Sequence, residues 1–252
     1  MARGREDEDE GLSARWALIV AALVVLFVRE LVPFGGLLLY PFTLFCTWVH
    51  EMGHGLAGLA VGGTFERLEI FANASGLAYG AVERGWPEAA RAAGGLLAPP
   101  LAGAAILALA RGPKRARIVL AVIAALLVIS APIWVRSLTG WIVVPALGLA
   151  LGAAAWRAGP TTAHIGAQFL GALLALDTVT RIDYLFTGSV FVGGRDRPSD
   201  VAIIADAVGG HYLLWGALLA LISLALLALG VRLAWAEPVR VTLPWKRKGA
   251  SR

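Results

Sequence analysis

The sequence predicts an all-α polytopic membrane protein of six or seven transmembrane helices, with a small β-hairpin inserted after the second apolar segment. Three observations carry this reading. Of the 252 residues, 58% are hydrophobic and only 15% charged, and mean hydropathy is +0.74. Several apolar runs approach or exceed the roughly 20 residues needed to cross about 30 Å of hydrocarbon. One polar interval between two such runs alternates with the period of a strand.

Residues 1–15, MARGREDEDEGLSAR, read as an acidic solvated tail, unlike the basic start of a cleaved signal peptide. Residues 16–235 read as a single transmembrane domain, and 236–252 as a basic C-terminal tail. The first apolar run, 16–28, is interrupted by Arg29 and Glu30. The second extends from about Phe34 to Gly62, with Pro41 near its helical start, where proline is tolerated. In the interval 65–82, Phe65, Arg67, Glu69 and Phe71 alternate with Glu66, Leu68, Ile70 and Ala72, and NASG supplies turn residues. This pattern predicts a hairpin. Its strands must lie in protein, in water or at the interface, because open edges do not survive in lipid.

Further apolar runs fall at about 92–110, 118–135, 138–156, 164–187 and 211–235. Pro99 and Pro100, in GGLLAPPLAG, are expected to break or bend their helix. A polar stretch, TGSVFVGGRDRPSD, precedes a short amphipathic piece, VAIIADAVGG. Basic residues at 111–117, at Arg157 and in the C-terminal tail mark one face as cytoplasmic. Seven spans would put the N-terminus on the other side, against the pull of Arg3, Arg5 and Arg15. Arginine outnumbers lysine 19 to 3, and alanine, glycine and leucine are abundant. That bias suggests a GC-rich bacterial genome and so a bacterial cytoplasmic membrane. The net charge of +5 sits in loops and tail and gives no sign of a nucleic-acid partner. A single cysteine, Cys46, excludes an internal disulfide framework.

The second run contains FCTWVHEMGHGLAGLAVGG, in which His50, Glu51 and His54 form an H-E-x-x-H pattern inside otherwise apolar sequence. Ionisable groups at such a depth need compensation. Positions i and i+4 share a helix face, so both histidines can bind one metal ion. Zinc suits imidazole and in catalytic sites keeps a position for water. Glu51 is placed to act as general base toward that water. Gly53, Gly55 and Gly58 leave room for close helix approach. Cys46 continues the four-residue spacing. It lies about 12 Å along the axis from His54, too far to share an ion held between His50 and His54.

A third ligand must come from elsewhere. Asp177 lies well inside the run AQFLGALLALDTVTRIDYLF and is the favoured ligand, with pairing to Arg181 at i+4 as the alternative. Asp183 reads as interfacial. Asp200 reads as an N-cap opening a helix and stands next in line as a ligand, ahead of Asp206. His164 and His211 open apolar runs, where interfacial placement explains them.

These residues resemble the site-2 protease superfamily, peptidase family M50. More narrowly, HEMGHGLAGLAVGGTFERLEIFANASGLAYG is similar to the bacterial M50B-like group, and SDVAIIADAVGG is similar to that group's SDA segment. The resemblance implies zinc-binding roles for His50 and His54 and a catalytic role for Glu51. The superfamily's third ligand is the aspartate of an L-D-G motif, present here as Leu176-Asp177 with Thr178 in place of glycine. The implied function is intramembrane hydrolysis of a membrane-anchored protein substrate within the bilayer. Two other readings compete: a catalytically inactive M50-like scaffold or regulator, and an ion-coupled transporter. The motifs leave oligomeric state open.

Overall fold

The computed structural model describes residues 35–235 and the single position Phe27. Apart from Phe27, the first apolar run lies outside the described residues, as do both tails. Seven α-helices account for most of the described chain: α1 Gly35–Ala60, α2 Trp86–Leu109, α3 Pro113–Trp134, α4 Leu138–Arg157, α5 Pro160–Thr180, α6 Asp200–Val208 and α7 Tyr212–Trp235. Five of them, α2 to α5 and α7, are long and apolar enough to cross a membrane. Helix α1, at 26 residues, is also of spanning length and carries the H-E-x-x-H pattern.

Local sequence explains the boundaries. Helices α2, α3 and α5 open with proline in the first turn, where its missing N–H costs nothing. Helix α4 opens at Ser137, whose hydroxyl accepts from the Gly140 N–H. The links at 110–112, 135–137 and 158–159 are too short for anything but antiparallel neighbours, so successive spans alternate in direction. The expected break at Pro99 and Pro100 does not occur, for α2 runs through both. The carbonyls that lose their donors belong to Gly95 and Leu96, and both prolines are packed fully inside. Burial among neighbouring helices keeps the segment helical.

The expected hairpin is present. Strand β1, Arg67–Ile70, pairs antiparallel with β2, Gly76–Tyr79, with Leu68 opposite Ala78 and Ile70 opposite Gly76. Asn73 Oδ1 accepts from the Ser75 N–H at 3.1 Å, and Ala74 takes a positive φ of 63° to close the turn. Leu68 and Ile70 are almost wholly buried and join a cluster with Leu44, Phe45, Leu127 and Val135. The outer edge of β1 is covered: Arg136 N–H donates to Leu68 O at 2.9 Å, and Ile70 N–H donates to Ser137 Oγ at 2.8 Å. The turn is laid back along α1, where Tyr40 Oη donates to Ala72 O and Thr47 Oγ1 donates to Ala74 O, both at 2.7 Å.

A second hairpin falls in the stretch read only as polar. Strands β3, Ser189–Val192, and β4, Arg195–Pro198, are joined by Gly193 and Gly194, both at positive φ. Two consecutive residues of that kind make the tight primed turn suited to hairpins. Between α5 and β3 lies a short 3-10 turn, Ile182–Phe186. A second apolar cluster, including Ala92, Leu96, Leu185, Val201, Ile204 and Leu219, seats this turn and α6 against α2 and α7.

Candidate metal centre

Helix α1 presents His50 and His54 one turn apart, with ring centroids 4.6 Å apart and Nε2 atoms 3.0 Å apart. Close packing of α1 on α2 sets this geometry. At Gly53 an added Cβ would stand 2.5 Å from the Gly94 carbonyl oxygen. Gly55 makes room for the Phe65 ring, and Gly58 lies beside Val82 and the Arg91 side chain. Of the three glycines, therefore, Gly53 and Gly58 face α2, Gly58 also meeting the returning chain at Thr64 and Val82, while Gly55 accommodates Phe65.

Arg91, on α2, fixes the tautomer of His54. Its carbonyl oxygen lies 2.9 Å from His54 Nδ1 and can only accept, so Nδ1 carries the proton and neutral His54 offers a lone pair at Nε2. The guanidinium of the same residue donates to Ala78 O on β2 at 2.6 Å. Gly95, four residues further along α2, leaves the space that the His54 ring fills.

The third group at this point is Asp200. Its Oδ2 lies 3.3 Å from His50 Nε2, and its Oδ1 lies 3.4 Å from His54 Nε2. Among the described residues, His50, His54 and Asp200 form the one group of three or more histidine, cysteine or acidic side chains whose ligand atoms converge, all within 4.8 Å. Asp200 is not an N-cap. Ser199 takes that role, its Oγ accepting from Ala202 N–H at 3.3 Å, and Asp200 is the first helical residue. Capping by its neighbour leaves the Asp200 carboxylate for the histidines.

Asp177, the favoured third ligand from sequence, does not join the group. Its carboxylate pairs with Arg181 Nε at 3.2 Å, one turn along α5. That cation meets the charge at depth which the sequence assigned to a metal. Asp177 instead lines a cavity of about 550 Å³ that also touches His50, Glu51 and Tyr184. An adjoining cavity of about 330 Å³ shares Thr43, Asn73, Ala74, Asp177 and Arg181 with it. Cys46 is buried and outside the converging group. So are His164, which is buried near the start of α5, and His211, exposed before α7. Asp183 and Asp206 are outside it as well.

The three donors suit zinc. A tetrahedron with about 2.0–2.1 Å from centre to vertex has edges of about 3.3 Å. The His50–His54 separation of 3.0 Å is close to such an edge, each imidazole has one Asp200 oxygen at a similar distance, Oδ2 at 3.3 Å from His50 and Oδ1 at 3.4 Å from His54, and one donor atom from each residue lies within 4.8 Å of the others. The chemistry agrees, because a histidine lone pair facing a carboxylate oxygen is a repulsive contact until a cation or proton lies between them. Two imidazoles and one carboxylate leave a fourth position open, as in catalytic sites.

Glu51 is 4% exposed and lines the 550 Å³ cavity. Gly76, on β2, permits its position: an added Cβ there would stand 2.5 Å from Glu51 Oε1. A family model described as Peptidase M50B-like matches residues 16–230. The chain belongs to this family. No curated protein and no solved structure matches it. As an M50B-like chain with five apolar membrane-length helices, it is an integral membrane protein of a metallopeptidase kind. The sequence favours Asp177 over Asp200, and gives no signal for the roles of Tyr184 and Gly95. The SDVAIIADAVGG resemblance was the one signal that bore on Asp200.

Proposed function

We propose that the protein is a zinc-dependent intramembrane endopeptidase that cleaves membrane-anchored protein substrates. The observation that carries this reading is the convergence of His50, His54 and Asp200, with His50 and the adjacent Glu51 both lining one cavity. Held by His50 Nε2, His54 Nε2 and Asp200, zinc would polarise the scissile carbonyl and acidify the attacking water. Glu51 takes the proton of that water as its oxygen joins the carbonyl carbon. It returns a proton to the amide nitrogen as the C–N bond breaks. A binding or transport role gives Glu51, held against Gly76 and facing the cavity, no such task.

A substrate helix hides its amides in internal hydrogen bonds and must unwind before attack. Strand β2 suits the unwound segment. Gly76 lies opposite Ile70, whose N–H points out of the hairpin, so the backbone groups of Gly76 also point outward. Gly76 and Ser75 line the cavity beside Glu51, where an extended segment can add as a further strand.

Arg111, Lys114, Arg115, Arg117, Arg157 and Arg232 share one face of the span array, since they flank alternate ends of antiparallel helices. By the positive-inside rule that face is cytoplasmic, in a bacterial plasma membrane, and both hairpins lie toward the other side. The test is cleavage in liposomes. Protein reconstituted with membrane-anchored candidates should cleave them, stop when zinc is chelated and resume when it is returned. Cleavage that persists after deletion of residues 65–82 would remove the strand-addition step.

A further inference from the structure

We propose that Tyr184 is a positioning residue of the metal centre, its hydroxyl holding the Asp200 carboxylate so that each oxygen faces one imidazole. This rests on the reading that His50, His54 and Asp200 bind the metal. Tyr184 Oη donates to Asp200 Oδ2 at 3.0 Å, the same oxygen that lies 3.3 Å from His50 Nε2. A phenol has one proton to give, and its use on Oδ2 leaves Oδ1 for His54 Nε2.

Asp200 needs such a restraint more than the histidines do. His50 and His54 share one rigid helix, and the Arg91 carbonyl fixes the His54 ring. Asp200 opens a helix of nine residues that follows a hairpin, and its carboxylate can turn about its own bonds. The phenol is well placed to stop that rotation because the 3-10 turn is itself anchored. Tyr184 N–H donates to Arg181 O at 3.0 Å. Leu185 is 2% exposed, and its carbonyl abuts Gly216 on α7 so closely that a Cβ there would clash. The Tyr184 ring meets His50 edge-on, with centroids 6.3 Å apart and planes at 86°. One side chain thus touches two of the three ligands while lining the cavity that holds Glu51.

The test compares purified wild type with Tyr184→Phe, which keeps the ring and removes the hydroxyl. Zinc affinity is read by competition with a chelator, and coordination is read from the visible spectrum after replacing zinc with cobalt. Loss of a partner of this kind weakens metal binding about 10–100-fold. Tyr184→Phe should show that loss and an altered cobalt spectrum, and Tyr184→Leu should weaken zinc at least as much. A ring that serves only for packing would leave both readouts unchanged in Tyr184→Phe. An affinity within about twofold of wild type with an identical spectrum overturns the role. Wild type that binds no zinc overturns the metal centre itself, and this role with it. Wild type that binds zinc no tighter than His50→Ala does the same.

Discussion

Gly95→Ala places a methyl group where the His54 ring now sits, on a helix that supplies no ligand of its own. The added Cβ would lie against Nε2, Cε1 and Cδ2 of His54, well inside normal contact. Carbon atoms settle about 3.5–4.0 Å apart, so the ring must retreat by about 1 Å. Ligand distances at a metal tolerate only about 0.2 Å. His54 cannot make that move and still keep Nε2 at 3.0 Å from His50 and 3.4 Å from Asp200. The substitution should therefore displace a proposed ligand without replacing one and so lower zinc binding. Overpacking adds a cost of about 1–3 kcal/mol in stability. Gly166→Ala serves as the control, because a Cβ there meets nothing within 4 Å and the helix gains propensity. Zinc per chain after dialysis and thermal unfolding in detergent are the assays. Gly95→Ala that retains zinc as tightly as wild type would refute the close approach of α2 to His54, and with it the geometry of the centre.

Other outcomes follow from the same contacts. Asp200→Ala should lose bound zinc, whereas Asp177→Ala should keep it, because the Asp177 carboxylate is engaged by Arg181; the reverse result in a zinc assay would restore the L-D motif as ligand. Ser130→Ala strands the buried Trp48 Nε1–H, which donates to Ser130 Oγ at 3.1 Å between α1 and α3. It should cost about 1–3 kcal/mol in a denaturant titration, and an unchanged midpoint would count against that contact. In a Cys46→Ala background, Lys114→Cys should react with an impermeant maleimide only after the membrane is opened, and Asp196→Cys should react in intact cells. The opposite pattern would invert the assigned orientation.

The parts of this structure legible in the sequence are those specified locally. The H-E-x-x-H spacing fixes the His50–His54 pair because one helix carries both. The β1–β2 hairpin shows in the alternation around Leu68 and Ile70, whose burial the fold then uses. The third member of the converging group depends on tertiary packing, and the sequence misleads about it at two positions. Asp177 stands out because it lies deep in an apolar run, yet Arg181 answers its charge. Asp200 looks like a cap because it precedes a helix, yet Ser199 caps that helix and frees it. The β3–β4 hairpin is hard to read for a different reason. The Gly193-Gly194 turn is plain, but RDRP is charged, contains proline and has no apolar alternation to mark it as a strand. Pro99 and Pro100 suggest a break or a bend, and the helix runs through both without a break. No sequence pattern reaches from Gly95 to His54 or from Tyr184 to Asp200, because those contacts join residues far apart in the chain.

Zinc content and proteolysis measured together on wild type and Glu51→Gln separate metal binding from proton transfer. Both proteins should carry about one zinc per chain, because Glu51 is not among the converging ligands. Only wild type should cleave a membrane-anchored substrate in liposomes, with Glu51→Gln lowered at least about 100-fold for want of a base. Cleavage by Glu51→Gln at the wild-type rate, or by wild type stripped of zinc, would contradict the account.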